Sequence, residues 1–126
     1  MTMTTTGVSA PDWTRFFDAF SRRHQGWLAS LTVLDPRLGA QVEAEGVPLQ
    51  GIVADARSRG ITIQMGQRPD DVEHAVRRPR RVWVELAPDG SELAIEIESD
   101  DGTKAILEFR AAALPETVNG LSGIRR

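Results

Sequence analysis

Two turn signals between residues 81 and 109 constrain this chain more than any other feature of its sequence. Asp89-Gly90 predicts a two-residue hairpin turn, and residues 100–102, Asp-Asp-Gly, predict a three-residue turn with the glycine in the left-handed conformation. These loop lengths pair Leu86 with Leu93, Val84 with Ile95, Val82 with Ile97, Ile97 with Ala105, Ile95 with Leu107, and Leu93 with Phe109. Because a slip of one residue would move every apolar side chain into water, the sequence predicts an antiparallel meander with one buried face.

The other face of this meander is predicted to carry charges that attract one another across the strands. The predicted neighbours are Arg81 with Glu98, Glu98 with Lys104, and Glu92 with Arg110. Cross-strand charge pairs contribute roughly 0.2–1 kcal/mol each, so they favour the same register as the apolar face.

Trp83 and Ile106 are predicted to lie in one row of this charged face, with Glu96 as a neighbour of Trp83. Large apolar side chains on a charged surface indicate that something covers them. The candidates are the N-terminal helix, a second copy of the chain, or a ligand, and we favour a cover from within the chain or from a second copy.

Residues 9–26, "SAPDWTRFFDAFSRRHQG", predict an amphipathic helix with both ends marked. Ser9 is a candidate N-cap, Pro11 suits the first turn, and Gly26 ends the helix. The aromatic residues recur at helical spacing and form one stripe: Trp13, Phe16, Phe17 and Phe20. We interpret this stripe as the side that packs on a sheet, and His24 as a surface histidine at the helix end.

Further strands are predicted from "WLASLTVL", "AQVEA", "PLQGIVADAR" and "GITIQM". The last two form a predicted hairpin around Ser58-Arg59, which pairs Ala56 with Ile61, Ala54 with Ile63, and Ile52 with Met65. We therefore expect an α+β fold, in which an N-terminal amphipathic helix packs on a bent, mainly antiparallel sheet of six to eight strands that approaches a partial barrel. Residues 1–8 are expected to be a disordered extension, 9–110 a single domain, and 111–126 a loose or weakly docked extension.

The overall composition excludes several classes of site. A chain of 126 residues is the size of one domain, and the lack of cysteine excludes disulfides, thiolate metal sites and a cysteine nucleophile. No stretch approaches the ~18 apolar residues of a membrane span, so we expect a soluble, cytoplasmic protein that does not bind membranes.

Catalytic signals are weak. The chain has two histidines, lacks tyrosine, and contains none of the glycine-rich phosphate-binding motifs or the nucleophile motif GxSxG. The segment "DDVEH", Asp70–His74, could offer oxygen and imidazole ligands to a divalent metal, which leaves a small metal-dependent enzyme as one alternative. We expect a solvated acidic loop there instead, with no metal, no cofactor and no catalytic residues.

Four arginines stand within five positions of "HAVRRPRRVWVEL": Arg77, Arg78, Arg80 and Arg81. With the nearby Trp83 they make nucleic-acid binding a second alternative, since arginine contacts phosphates and an exposed tryptophan stacks on bases. The net charge of −3 and the carboxylates predicted beside Trp83 argue against it.

The order and spacing of several segments resemble a family of small bacterial domains of unknown function. These segments are "DWTRFFDAFSRRHQG", "VLDPRLGAQ", "PLQGI", "RRPRRVWV" and "IEIESDDGTKAILEF", which together span about residues 12–109. The resemblance implies no catalytic residues. Our first functional hypothesis is a non-enzymatic domain that binds another protein or forms a homodimer, with Trp83, Ile106 and the four arginines as candidate binding residues.

Overall fold

The computed structural model describes residues 3–67 and 71–109 of the chain. Within them lie a short 3-10 turn, Ala10–Asp12, one helix and eight strands, in the order β1 (Thr4–Val8), α1 (Trp13–His24), β2 (Leu28–Asp35), β3 (Gly39–Ala54), β4 (Ile61–Met65), β5 (Glu73–Val76), β6 (Pro79–Leu86), β7 (Glu92–Ser99) and β8 (Lys104–Phe109). The strands form one sheet in the order β1-β6-β7-β8-β2-β3-β4-β5, and every neighbouring pair is antiparallel. No helix in these ranges is long and apolar enough to cross a membrane.

The sheet curls strongly, because a short link joins two strands that lie far apart in its strand order. Only Arg77 and Arg78 join β5 to β6, although five strands lie between them in the sheet. In a flat sheet, spacings of ~4.8 Å would separate these two strands by roughly 29 Å, whereas a two-residue link spans about 11 Å between the flanking Cα atoms. The sheet stays open, with β1 and β5 as its edges, so the predicted bent α+β architecture is confirmed with eight strands.

Helix α1 packs on the concave face of this sheet. Phe17 and Phe20 are fully buried and Trp13 is nearly so, in one core cluster with Ile52, Ile95 and other apolar side chains of the strands. Phe16 packs at the margin of the same cluster. The aromatic stripe is therefore core packing, as predicted. Ser9 does precede the helical segment, but it makes no side-chain cap, and its carbonyl accepts the Asp12 amide at 2.8 Å.

The central part of the predicted meander is confirmed, including the pairs of Val82 with Ile97 and of Val84 with Ile95. The turn after Asp100 also places Ile97 opposite Ala105 and Ile95 opposite Leu107. The first turn differs from the prediction, because the Ala87 amide bonds to the Ser91 carbonyl and closes a three-residue loop. A register shift between Glu85 and Leu86 compensates for the extra residue, so Leu86 pairs with Glu92 and not with Leu93.

The predicted register of the β3–β4 hairpin is wrong by two residues. Ala54 lies opposite Ile61 and Ile52 opposite Ile63, which keeps these four side chains buried but leaves Ala56 exposed in a longer loop. The reason is Asp55, whose carboxylate accepts the Arg57 amide at 2.8 Å and whose carbonyl accepts the Arg59 amide at 2.7 Å. These bonds stabilise a loop that ends in Arg59 with φ of 61°.

The start of the chain also differs from the prediction. Residues 4–8 form the edge strand β1, paired with β6 from Thr4–Leu86 to Val8–Val82, so this part is not a disordered extension. The threonine-rich segment has no alternating apolar pattern, and its pairing depends on the exposed backbone of β6, which no local signal reveals. The predicted extension at residues 111–126 lies outside the described residues.

Candidate functional site on the outer face of the sheet

The convex face of the sheet, which we call the outer face, is organised in rows of side chains that run across the strands. The central row follows the backbone pairs and contains Gly7, Trp83, Glu96, Ile106, Thr32 and Val42. Trp83 lies opposite Glu96, and Glu96 lies opposite Ile106, so the predicted row neighbours are correct.

Two further rows of opposite charge flank the central row. The acidic row contains Thr5, Glu85, Ala94, Glu108 and Ser30. The basic row, on the other side, contains Arg81, Glu98, Lys104 and Leu34. The outer face therefore has a negative end and a predominantly positive end, with Trp83 and Ile106 between them.

A shallow cavity of about 400 Å³ lies between the acidic row and the central row. It is lined by Thr5, Trp83, Glu85, Ala94, Glu96, Ile106 and Glu108. Ala94 is buried, whereas Trp83 and Ile106 are half-buried. The cavity exists because alanine is small at the position between the longer side chains of Glu85 and Glu108.

Helix α1 does not cover these side chains, since it packs on the concave face with Val82 and Val84, the residues that flank Trp83. The guanidinium carbon of Arg81 is 5.9 Å from the centroid of the Trp83 ring, a distance at which cation–π attraction operates. Lys104 lies 3.7 Å from the Glu96 carboxylate, diagonally across the strands. These contacts orient charged side chains around the apolar pair.

The arginine segment does not form one continuous surface. Alternation along β6 directs Arg80 and Arg81 to opposite sides of the strand. Arg80 lines a separate cavity of about 470 Å³ next to Arg59, Trp13 and Pro79. Arg78 adopts φ of 51°, and its guanidinium lies 4.0 Å from the Asp100 carboxylate. The structure thus separates the arginines that are adjacent in sequence.

His24 is buried, and its predicted place on the surface is wrong. Its side chain stacks between the rings of Phe20, at 4.2 Å, and Phe109, at 4.7 Å, and meets the Trp27 ring edge-on at 4.5 Å. Nδ1 is 2.9 Å from the Phe20 carbonyl oxygen, and Nε2 is 3.4 Å from the Glu92 carboxylate. The last turn of the helix therefore belongs to the core.

Glu92 also departs from the prediction, which paired it with Arg110 on the outer face. Its carboxylate accepts hydrogen bonds from Arg23 Nη2 at 2.7 and 2.9 Å and contacts His24, all on the helix side of the sheet. The register shift beside Leu86 explains this orientation, since it places Glu92 opposite an inward-facing residue. Arg110 lies outside the described residues. We interpret the cluster of Arg23, His24 and Glu92 as a structural connection between helix and sheet.

Within the described part of the chain, no three side chains that could ligate a metal come together. Glu73 and His74 are successive residues of strand β5, so their side chains lie on opposite faces. Burial lowers the pKa of His74 below its ordinary value of 6.5, and the Glu43 carboxylate opposes part of this effect. Asp70 lies outside the described residues.

Comparison with known proteins agrees with the resemblance found in the sequence. An uncharacterized protein of Aquifex aeolicus (strain VF5) is 32% identical over 115 residues, which cover 90% of this chain and 100% of that protein. No solved structure matches the chain. Residues 4–117 match a family of unknown function, DUF5335. The chain therefore belongs to the DUF5335 family.

Proposed function

We propose that this protein is a non-enzymatic interaction domain that binds another protein molecule through the outer face of its sheet. The observation that carries the proposal is the position of Trp83 and Ile106 in the central row, on the side of the sheet that α1 leaves open. Aromatic residues surrounded by a polar rim are typical of the centres of protein interfaces.

The shape and charge of the outer face support this function. The cavity beside Trp83 has a volume of about 400 Å³ and can receive protruding side chains of a partner. Charged rows on both sides of the apolar pair would orient the partner, because opposite charges steer association and penalise wrong docking positions.

The histidines support a binding role over a catalytic one. His24 is enclosed by aromatic rings and held by a backbone carbonyl and Glu92, so it serves packing. His74 lies on the edge strand β5, on the other half of the sheet from the outer-face rows. Neither histidine is placed beside Trp83, where the chain offers its cavity of mixed apolar and charged lining.

Site-specific photo-crosslinking in the host cell tests the proposal. A photoreactive phenylalanine analogue at position 106 should yield a protein adduct, and Trp83→Ala in the same chain should reduce that adduct strongly. Val53 is the matched control, since it is an apolar β3 residue that is 57% exposed and lies away from the three rows. Equal adduct yields from positions 53 and 106, unaffected by Trp83→Ala, would contradict the proposal.

A second candidate function is nucleic-acid binding at the arginine-rich end of the molecule. The observation that favours it is the pairing of Ile61 with Val76, which places the loop carrying Arg57 and Arg59 beside the link of Arg77 and Arg78. Arginines distant in sequence thus share one end of the sheet, and all four are exposed.

Fluorescence anisotropy of labelled oligonucleotides tests this second candidate at low and near-physiological salt. It predicts binding that survives physiological salt and weakens when Arg57, Arg59, Arg77 and Arg78 are replaced by alanine, whereas Arg22→Ala on the exposed side of α1 has no effect. No binding at low salt would eliminate the candidate.

A further inference from the structure

We propose that the protein bound by the outer face is a second copy of this chain, related by a two-fold axis that runs along the central row. This inference rests on the proposed function, because it names the partner of the same surface. It follows from the order of the three rows, in which negative and positive ends lie on opposite sides of the apolar centre.

A rotation of 180° about the central row turns one copy over and lays its outer face on that of the other. Each strand then lies over the same strand of the partner, and the basic row lies over the acidic row. Arg81 faces the partner's Glu85, because both residues belong to β6 and flank Trp83 on opposite sides. Lys104 faces the partner's Glu108 on β8 in the same way. The symmetry repeats each of these contacts.

The centre of this arrangement is apolar. Trp83 meets the partner's Trp83 and Ile106 meets the partner's Ile106, so the half-buried side chains become fully covered. Glu96 meets the partner's Glu96 on the axis, where Lys104, 3.7 Å from Glu96, offsets the like-charge contact. Glu98 of the basic row faces the partner's Ala94, between two glutamates of the acidic row. The dimer is thus expected to be limited by these carboxylates of β7, of which Glu96 can be neutralised by substitution.

Other two-fold axes do not produce this complementarity. An axis parallel to the strands would lay the acidic row on itself, and Glu85 and Glu108 would face carboxylates of the partner. Like charges brought together across an interface cost several kcal/mol, so the charge pattern selects the axis along the central row.

The curl of the sheet limits the area over which two outer faces touch. Strands ~4.8 Å apart with ~3.4 Å per residue assign about 33 Å² to each outward side chain, so three rows over the three strands β6, β7 and β8 cover roughly 300 Å² per copy and 600 Å² per dimer. This area is below that of stable interfaces, and it predicts a weak, reversible dimer. Twisted sheets pack face to face at about −30°, about 10 Å apart, which side chains of arginine and glutamate can bridge.

Sedimentation equilibrium of the full chain and of charge-reversal variants tests the inference. The wild type should form a weak dimer that is populated at high micromolar concentration. Arg81→Glu should weaken the dimer at least about tenfold, because the new carboxylate faces the partner's Glu85 and the symmetry repeats this contact. Glu85→Arg alone should have a similar effect, and R81E/E85R together should restore affinity to within about threefold of the wild type.

Two further variants make the test specific. Glu96→Gln should strengthen the dimer several-fold, whereas a cationic partner protein would be bound more weakly by the same variant. Glu73→Arg, an equal change of charge on the exposed side of β5, should leave the dimer unchanged. Thermal unfolding of each variant checks that it is folded. The double variant Lys104→Glu with Glu108→Lys tests the same exchange of charges on β8.

A wild type that stays monomeric at high micromolar concentration would overturn the two-fold dimer, whether residues 110–126 or a different protein cover the face. The same holds if R81E/E85R does not restore affinity. Neither result would contradict the proposal that the outer face binds a protein, because adducts at position 106 report any protein partner. A dimer that forms normally without adducts at position 106 would instead overturn both.

Discussion

At the residue scale, His24 shows how a helix end becomes part of the core. Gly26, with φ of 88°, turns the chain so that Trp27 contacts the histidine ring, and Phe109 of β8 closes the other side. Charge at the last turn of a helix predicts a surface histidine for an isolated helix. The burial of His24 depends on Trp27, Phe109 and Glu92, which are distant in the sequence or lie beyond the helix.

We predict that His24→Ala lowers the free energy of unfolding by about 2–4 kcal/mol, because a cavity replaces the stacked ring. His24→Phe should lower the free energy of unfolding by less, since it keeps the ring contacts with Phe20 and Phe109 and loses only the interactions with the Phe20 carbonyl and Glu92. Urea unfolding of the two variants measures these changes. Arg22→Ala, at an exposed ion pair, is the control and should change stability by less than about 1 kcal/mol. An unaffected His24→Ala variant would show that the ring does not stabilise the core.

His74 should make stability depend on pH. Burial lowers its pKa in the folded state below the ordinary value of 6.5, so the unfolded state binds the proton more readily. The contribution of neutral His74 to the free energy of unfolding is fully present above pH 6.5 and is lost as the pH falls below that value. The stability of the wild type relative to His74→Gln should therefore decrease between pH 7 and pH 5, as measured by urea unfolding at each pH. A constant or increasing difference would contradict this assignment.

At the scale of elements, the meander was predictable because its turn chemistry and its apolar pattern agree. Even the unexpected three-residue loop after β6 left the central pairs intact, since the register shift beside Leu86 restored them. Strand β3 was not predictable as one continuous element of 16 residues. It contains Gly46, Pro48 and Gly51, which are local strand breakers, and it continues through them by means of register shifts opposite β2 and β4.

Ser21 connects α1 to this irregular strand through two hydrogen bonds. Its hydroxyl donates to the Ile52 carbonyl at 3.0 Å and accepts the Ile52 amide at 2.8 Å, next to the register shift between Leu49 and Gly51. Ser21→Ala would leave both backbone groups without these bonds, and we expect a loss of about 1–3 kcal/mol in unfolding free energy. Chemical denaturation measures the loss, with Ser58→Ala in the exposed hairpin loop as the control. Equal effects of the two substitutions would contradict the role of Ser21.

At the scale of the whole molecule, the curl of the sheet separates two surfaces of different composition. The concave face encloses α1 and the core, and the convex face presents the central row between its acidic and basic rows. The composition of the central row was predictable around Trp83, Glu96 and Ile106, because it follows from the meander register alone. The contributions of β1 and β2 to the rows were not predictable, since they depend on long-range pairing with β6 and β8.

We propose that another protein molecule covers the outer face around Trp83 in the cell. Hydroxyl-radical footprinting in the host cell and on dilute purified protein tests this proposal, because it reports the exposure of single side chains. Leu38, which is 70% exposed, and Phe17, which is fully buried, serve as internal references. We predict that Trp83 is oxidised more slowly in the cell than in dilute solution, relative to Leu38. An equal relative rate of Trp83 oxidation under both conditions would show that no protein covers this side chain in the cell.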